Sequence, residues 1–175
     1  MIRNKTENSL AKWREHCVNM RSSLGMAAES SPWTSRPGLA LAPKLRDSAK
    51  ETVDIAWTWQ LKQARNAARA TGSKPPSVDE AAKDFFADIS QSVLRKPWGG
   101  EEFPCTTQSS DVYSFEHDGI VSPSQQMQLQ GHSKQMKLCT LTEAQVRSLA
   151  GEGFSATCIG AVLHAAFLEP SAPWW

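Results

Sequence analysis

Leu10, Trp13, Cys17, Met20 and Leu24 recur at spacings of three and four, which predicts a helix over residues 8–24 with one apolar stripe. Residues 29–43 break that pattern. Ser30, Ser31, Pro32, Pro37 and Gly38 cannot sustain a helix and read as a connector. From Lys44 to Ala70 the chain carries neither Gly nor Pro and is rich in Ala, Lys, Arg and Gln. That composition predicts a long helix stopped at Gly72 ahead of Pro75 and Pro76. Three further helix starts share one local chemistry. Ser77 with Glu80, Ser122 with Gln125, and Thr142 with Gln145 have the capping-box spacing, in which two side chains satisfy each other's orphan backbone donors. Pro123 at the first helical position reinforces the second of these. Between Gly99 and Gly119, Thr106, Thr107, Val112, Tyr113 and Phe115 favour extended chain, so one or two short strands are expected there. Ser155 to Leu168 is apolar on every side except Thr157 and His164 and predicts a buried helix that ends before Pro170.

These elements predict an α+β fold, mostly helical, with a small irregular sheet around residues 100–120. They also divide the chain. Residues 1–76 form a helical N-terminal segment with linkers at 29–43 and 71–76, and residues 77–175 form a second region that looks more constrained from Asp84 onward.

With 175 residues the chain can bury a core of its own. Nineteen Lys and Arg against eighteen Asp and Glu leave a formal net charge of +1 and remove any whole-chain electrostatic case for nucleic acid or an acidic membrane. Any such contact must come from a local patch. One candidate is the stripe Lys62, Arg65 and Arg69 on the long helix, followed by Lys74, which fits either a phosphate-facing surface or a solvated helix end that complements the dipole. The longest apolar run, Cys158 to Leu168, is shorter than the roughly 20 residues a spanning helix needs, so no membrane partner is expected. The four cysteines are widely spread and no apolar leader opens the chain, which predicts reduced thiols in an intracellular protein, nuclear if the source is eukaryotic. Seven tryptophans beside a single tyrosine, with Trp57/Trp59 and Trp174/Trp175 as close pairs, point to surfaces that must be covered by this fold or by a partner.

Candidate chemistry is sparse. Apart from the adjacent His16 and Cys17, no metal-ligating pair has the two-to-four-residue spacing of a closed zinc site, so no metal is expected. Neither the dinucleotide nor the P-loop glycine pattern occurs. Gly151-Glu152-Gly153 reads as a two-glycine turn between helices, by itself a helix C-cap. Cys105 after Pro104 is a candidate nucleophile, set against a buried loop thiol, with no base near it in sequence.

Taken in order, FPCTTQSSDVYSF, SPSQQMQLQGH and LAGEGFSATCIGAVLHAAFL resemble the C-terminal third of cytosine-5 DNA methyltransferases. The resemblance covers about residues 84–175, with Asp88 to Ser92 and Arg95 as its lead-in. Pro104, Thr106 and Thr107 resemble the extended stretch that closes the family's target-recognition region. Ser122, Pro123, Leu129, Gln130 and Gly131 match its Thr-Pro-Arg-Glu and Leu-Gln-Gly-Phe motif, and Gly151, Glu152 and Gly153 stand at its final Gly-Asn turn. It implies the C-terminal part of an S-adenosylmethionine-dependent, Rossmann-like α/β fold without its catalytic core. By the same resemblance Arg95, Thr106, Thr107 and Gln108 would bind DNA, with the whole stretch from Arg95 to Phe115 facing it. Gly151, Glu152 and Gly153 would border S-adenosylmethionine, and the helix from Ser155 would pack onto the missing catalytic half.

Departures and absences limit what the chain can do alone. Ser124 and Gln125 stand where the family has Arg and Glu, His132 where it has Phe, and Glu152 where it has Asn; a carboxylate accepts hydrogen bonds but cannot donate as an amide does. The Pro-Cys-Gln nucleophile loop and the glycine-rich cofactor turn are absent. Pro104-Cys105 is followed by Thr106, and Glu7-Asn8, which resembles the family's Glu-Asn-Val, follows no apolar strand. The expected function is therefore the recognition and closing part of such an enzyme, with no catalytic residue of its own, as a fragment, a degenerate copy or one subunit of a split enzyme. A catalytic methyltransferase half, or another protein, would be its partner. The alternative is a non-catalytic helical adaptor that binds protein through the long helix and the tryptophan pairs.

Overall fold

The computed structural model describes residues 2–99, 107–134, 136 and 140–152, with side chains from Ser9 onward. The chain forms two compact units, one made of residues 1–104 and 111–120, the other of 105–110 and 121–175. The division expected at residues 76/77 thus falls inside the first unit.

In the first unit, α1 (Ile2–Leu24) and α2 (Asp47–Thr71) are the long helices. Trp13, Met20 and Leu24 pack on the core and Cys17 is buried within it, as the stripe predicts, whereas Leu10 stays exposed. In α2, every residue from Thr52 to Trp57 is buried. Six consecutive buried positions exceed one helical turn, so this half of α2 is covered on all sides and is the central element of the unit. Gly72 ends it in the left-handed region at φ 67°, and the Ser73 amide donates to Ala68 O at 2.9 Å. The short α3 (Val78–Ala82) starts at the expected reciprocal cap of Ser77 and Glu80.

The sheet is antiparallel and four-stranded, in the order β2-β1-β3-β4, with β1 Phe86–Asp88, β2 Trp98–Gly99, β3 Val112–Ser114 and β4 Gly119–Ile120. Ala87 lies opposite both Trp98 and Tyr113, and Tyr113 opposite Ile120. Half of this sheet therefore lies upstream of the window expected at residues 100–120. Strands of two or three residues are too short to show an alternating pattern.

The connector at 29–43 is not a spacer. Trp33 is 2% exposed and sits in an aromatic cluster, with ring centroids 4.4 Å from Trp57 and 5.0 Å from Phe115. This segment has no regular secondary structure before the 3₁₀ turn at Ala42–Lys44; the amides of Ser35 and Arg36 donate to Ser31 O and Trp33 O, and two aspartates satisfy others. Asp54 of α2 accepts from the amides of Trp33 and Thr34 at 2.8 and 2.9 Å and from the Thr34 hydroxyl at 2.6 Å. Asp118, in the β3–β4 turn at φ 43°, accepts from the amides of Ala40, Leu41 and Ala42 and from the Tyr113 hydroxyl, which in turn accepts from Trp33 Nε1 at 2.9 Å. Arg21 joins α1 to α2 through a bidentate pair with Glu51 and donates to Ala27 O and Ser30 O. Trp57 is buried, and Trp59 stacks near Phe85 and Trp98, so this unit covers that tryptophan pair itself.

In the second unit, α4 (Pro123–Leu129) and α5 (Glu143–Glu152) bury Met127, Val146 and Ala150 against each other, with Leu141 alongside. Both begin at predicted capping boxes. The Gln125 amide donates to Ser122 Oγ at 3.3 Å and the Ser122 amide to Gln125 Oε1 at 2.8 Å; Thr142 and Gln145 repeat the same exchange. No described helix is long and apolar enough to cross a membrane.

Candidate functional site

The second unit gathers most of the residues singled out by the sequence. Thr107–Ser110 is a tight turn, not a strand, because Ser110 captures it: the Ser110 amide donates to Thr107 O at 3.0 Å, and Ser110 Oγ accepts from the Thr107 amide at 2.8 Å. Gly151 and Glu152 form the last turn of α5. The two places meet. A Cβ at Gly151 would run into the backbone of Thr107 and Gln108, so only glycine admits this approach, and Gln108 Nε2 donates to Glu152 Oε1. Gln130 ties α4 to the same corner by donating to Ala150 O at 2.7 Å.

Thr107, Gln108 and Glu152 are exposed. Beside them a hollow of about 480 Å³ is bordered by Gln108, Glu143 and Arg147. The chemistry offered by the described residues is amide and hydroxyl donors with charges of both signs. Among the described residues no group of three His, Cys, Asp or Glu could hold a metal.

Arg95 belongs to the first unit, where it closes a 3₁₀ turn, is exposed and donates to Gln91 Oε1 at 3.3 Å. The stretch expected to face DNA beyond it is only partly exposed. Val112, Tyr113, Ser114 and Phe115 are buried, because β3 runs through the core beside β1. Thr106, Gly153, Pro104-Cys105, Trp174/Trp175 and the helix expected from Ser155 lie outside the described residues.

A second cleft, of about 460 Å³, was not foreseen. It lies in the first unit between α1, the start of α2 and the loop after β1. Lys12, Trp13 and His16 come from α1, Arg46 and Ser48 from the start of α2, and Ser90 and Ser92 from the loop. The i,i+4 spacing of Lys12 and His16 was the only local signal. Arg46 is held over the cleft by a long contact of 3.4 Å from Nη2 to Ile89 O. The Lys62, Arg65 and Arg69 stripe is exposed and lines a third hollow with Leu24, Met26 and Thr58.

Comparison of the chain with protein-family models, curated proteins and solved structures found no match.

Proposed function

We propose that this chain is the recognition and closing part of a cytosine-5 DNA methyltransferase, incomplete alone, whose methyl transfer from S-adenosylmethionine to cytosine requires a catalytic half carried by another polypeptide. The observation that carries this reading is the corner where the three motif-bearing segments meet. The Thr107–Ser110 turn, the end of the SPSQQMQLQG helix and the Gly151-Glu152 turn are joined by Gln108–Glu152, by Gln130–Ala150 and by the side-chain-free surface of Gly151. Segments 20 and 44 residues apart in sequence are thus used together, as parts of one site would be.

The cap of α4 supports the same reading. Where the family carries Thr and Glu, Ser122 and Gln125 exchange the reciprocal hydrogen bonds that a Thr and a Glu at this spacing would make. The substitution to Gln therefore keeps the helix start while removing a charge. On this reading Thr107 and Gln108 contact DNA, and Gly151 and Glu152 border the methyl donor. Glu152 can accept a hydrogen bond from the donor but not supply one. Arg95 is a phosphate contact made by the other unit. A Rossmann-like catalytic core would come from the partner.

The test is reconstitution. The chain is mixed with a polypeptide carrying the Pro-Cys-Gln loop and the glycine-rich turn, and transfer of labelled methyl groups from S-adenosylmethionine to duplex DNA is measured. Incorporation by the mixture and none by either chain is the expected result. Methylation by the isolated chain contradicts the proposal, and so does an inert mixture in which the chain retains neither duplex DNA nor the catalytic half. The adaptor reading predicts that last pattern; of the contacts it relies on, Trp57 and Trp59 are occupied within the fold, while Trp174 and Trp175 lie outside the described residues.

A further inference from the structure

We infer that the cleft between α1, the start of α2 and the β1–β2 loop is a binding site for a nucleotide phosphate, supplied either by a free mononucleotide or by one unit of a nucleic-acid strand. Charge is the first reason. Lys12 and Arg46 line the cleft, with His16 beside them, and among the described side chains no carboxylate does, although the chain as a whole is close to neutral. Glu15, next to His16, is not among the lining residues, and the acids flanking the other two walls are diverted. Asp47 projects into solvent, and Asp88 is buried beneath the loop, where its Oδ1 accepts from the amide and hydroxyl of Ser90. Concentrating like-charged groups around a concave space is unfavourable unless an anion occupies it.

Donor geometry is the second reason. Ser48 and Ser92 contribute hydroxyls to the wall, that of Ser90 being spent on Asp88, and α2 opens there with Arg46 at its N-cap and no side-chain cap hydrogen bond. Among the described residues the helix starts that follow a Ser or Thr, those of α3, α4 and α5, close on themselves through a capping box. The open end of a 25-residue helix adds backbone donors and a positive dipole to the same basic wall. The third reason is the indole. Trp13 is half-buried at the edge of the core and presents part of its ring to the cleft. A planar base can stack on such a face while its phosphate reaches the cations. The volume of about 460 Å³ falls within the range of small-ligand sites.

This site does not depend on the methyltransferase reading, and the reconstitution assay does not involve it. Its test is calorimetric titration of the full chain with four probes: inorganic phosphate, ribose 5-phosphate, adenosine monophosphate and a short single-stranded oligonucleotide. Adenosine monophosphate is expected to saturate the site more tightly than ribose 5-phosphate, the difference reporting the stack on Trp13. In the Lys12→Gln/Arg46→Gln double variant, affinity for each bound probe should fall by about tenfold or more, since two charge-assisted contacts are lost. Both side chains are exposed, so an unchanged urea midpoint verifies that the variant is folded. The single Lys12→Arg variant, which keeps the charge, should retain binding. If only the oligonucleotide binds and the double variant loses it, the phosphate belongs to a strand. The proposal is overturned if no probe binds at millimolar concentration, if the folded double variant binds as well as the parent, or if adenosine monophosphate and ribose 5-phosphate bind equally.

Discussion

Asp54→Ala removes one carboxylate that holds a whole irregular segment. Its two oxygens accept from the amides of Trp33 and Thr34 and from the Thr34 hydroxyl, all at 2.9 Å or less, and its own exposure is 2%. Trp33 and Thr34 are themselves buried, so the two amides have no ready access to water. Each orphaned buried donor costs about 1–3 kcal/mol. Relief of the carboxylate's own desolvation, and water entering the vacated space, recover part of that. The expected net loss is about 3–4 kcal/mol, large for a single substitution and of the size that goes with breaking a buried network. Asp54→Asn separates hydrogen bonding from charge. Its carbonyl can still accept from both amides, and the Thr34 hydroxyl can turn to accept from the new NH₂, so a loss of only about 1 kcal/mol is expected. Urea unfolding followed by tryptophan fluorescence is the assay, because five of the seven tryptophans lie in the first unit. With a slope of about 2 kcal/mol/M, the alanine variant should shift the midpoint by roughly 1.5–2 M. A shift under about 0.3 M at unchanged slope, or an asparagine variant as damaged as the alanine one, would refute this account of the 29–43 segment.

Burial pushes the Asp118 carboxyl up, but the hydrogen bonds from Tyr113 and from the amides of Leu41, Ala42 and Ala40 outweigh it and hold the group below the ordinary aspartate value of 3.8. A carboxyl depressed in the folded state stabilises above its unfolded pKa and loses that contribution as pH falls through the folded one. Between pH 5 and pH 2, Asp118→Asn should therefore lose less stability than the parent in paired urea titrations, and equal losses would contradict the assignment. Burial first, and the neighbouring Glu51 second, push the Cys17 thiol up to about 12. At pH 8 only about one thiol in ten thousand is then ionised, so peptide mapping after iodoacetamide treatment should find Cys17 unmodified in the native protein and alkylated in urea. Gly151→Ala places a methyl group against the backbone of Thr107 and Gln108, which should destabilise the second unit by about 1–3 kcal/mol. Hydrogen exchange should show faster exchange in α4 and α5 with the first unit unchanged; unaltered protection would mean that the turn yields freely.

What could be read from the chain was what it encodes within a few residues. The stripe of α1, the stop of α2 at Gly72 and the caps at Ser77, Ser122 and Thr142 each depend on partners no more than one or two turns away, so spacing alone reveals them. The contact of Gln108 with Glu152 was not legible in the sequence, since nothing local links residues 44 positions apart. Tertiary structure alone decided the rest. It made the Pro- and Ser-rich connector a core segment by bringing Asp54 and Asp118 to its amides, and it paired β1 with strands too short to carry a period. It also brought Lys12, His16 and Arg46, ordinary surface residues in sequence, to the lining of one cleft. The physical reason is the same in each case. A hydrogen bond or a shared electrostatic field depends on distance in space, and when the chain between two partners is long it leaves no periodic mark in the order of the residues.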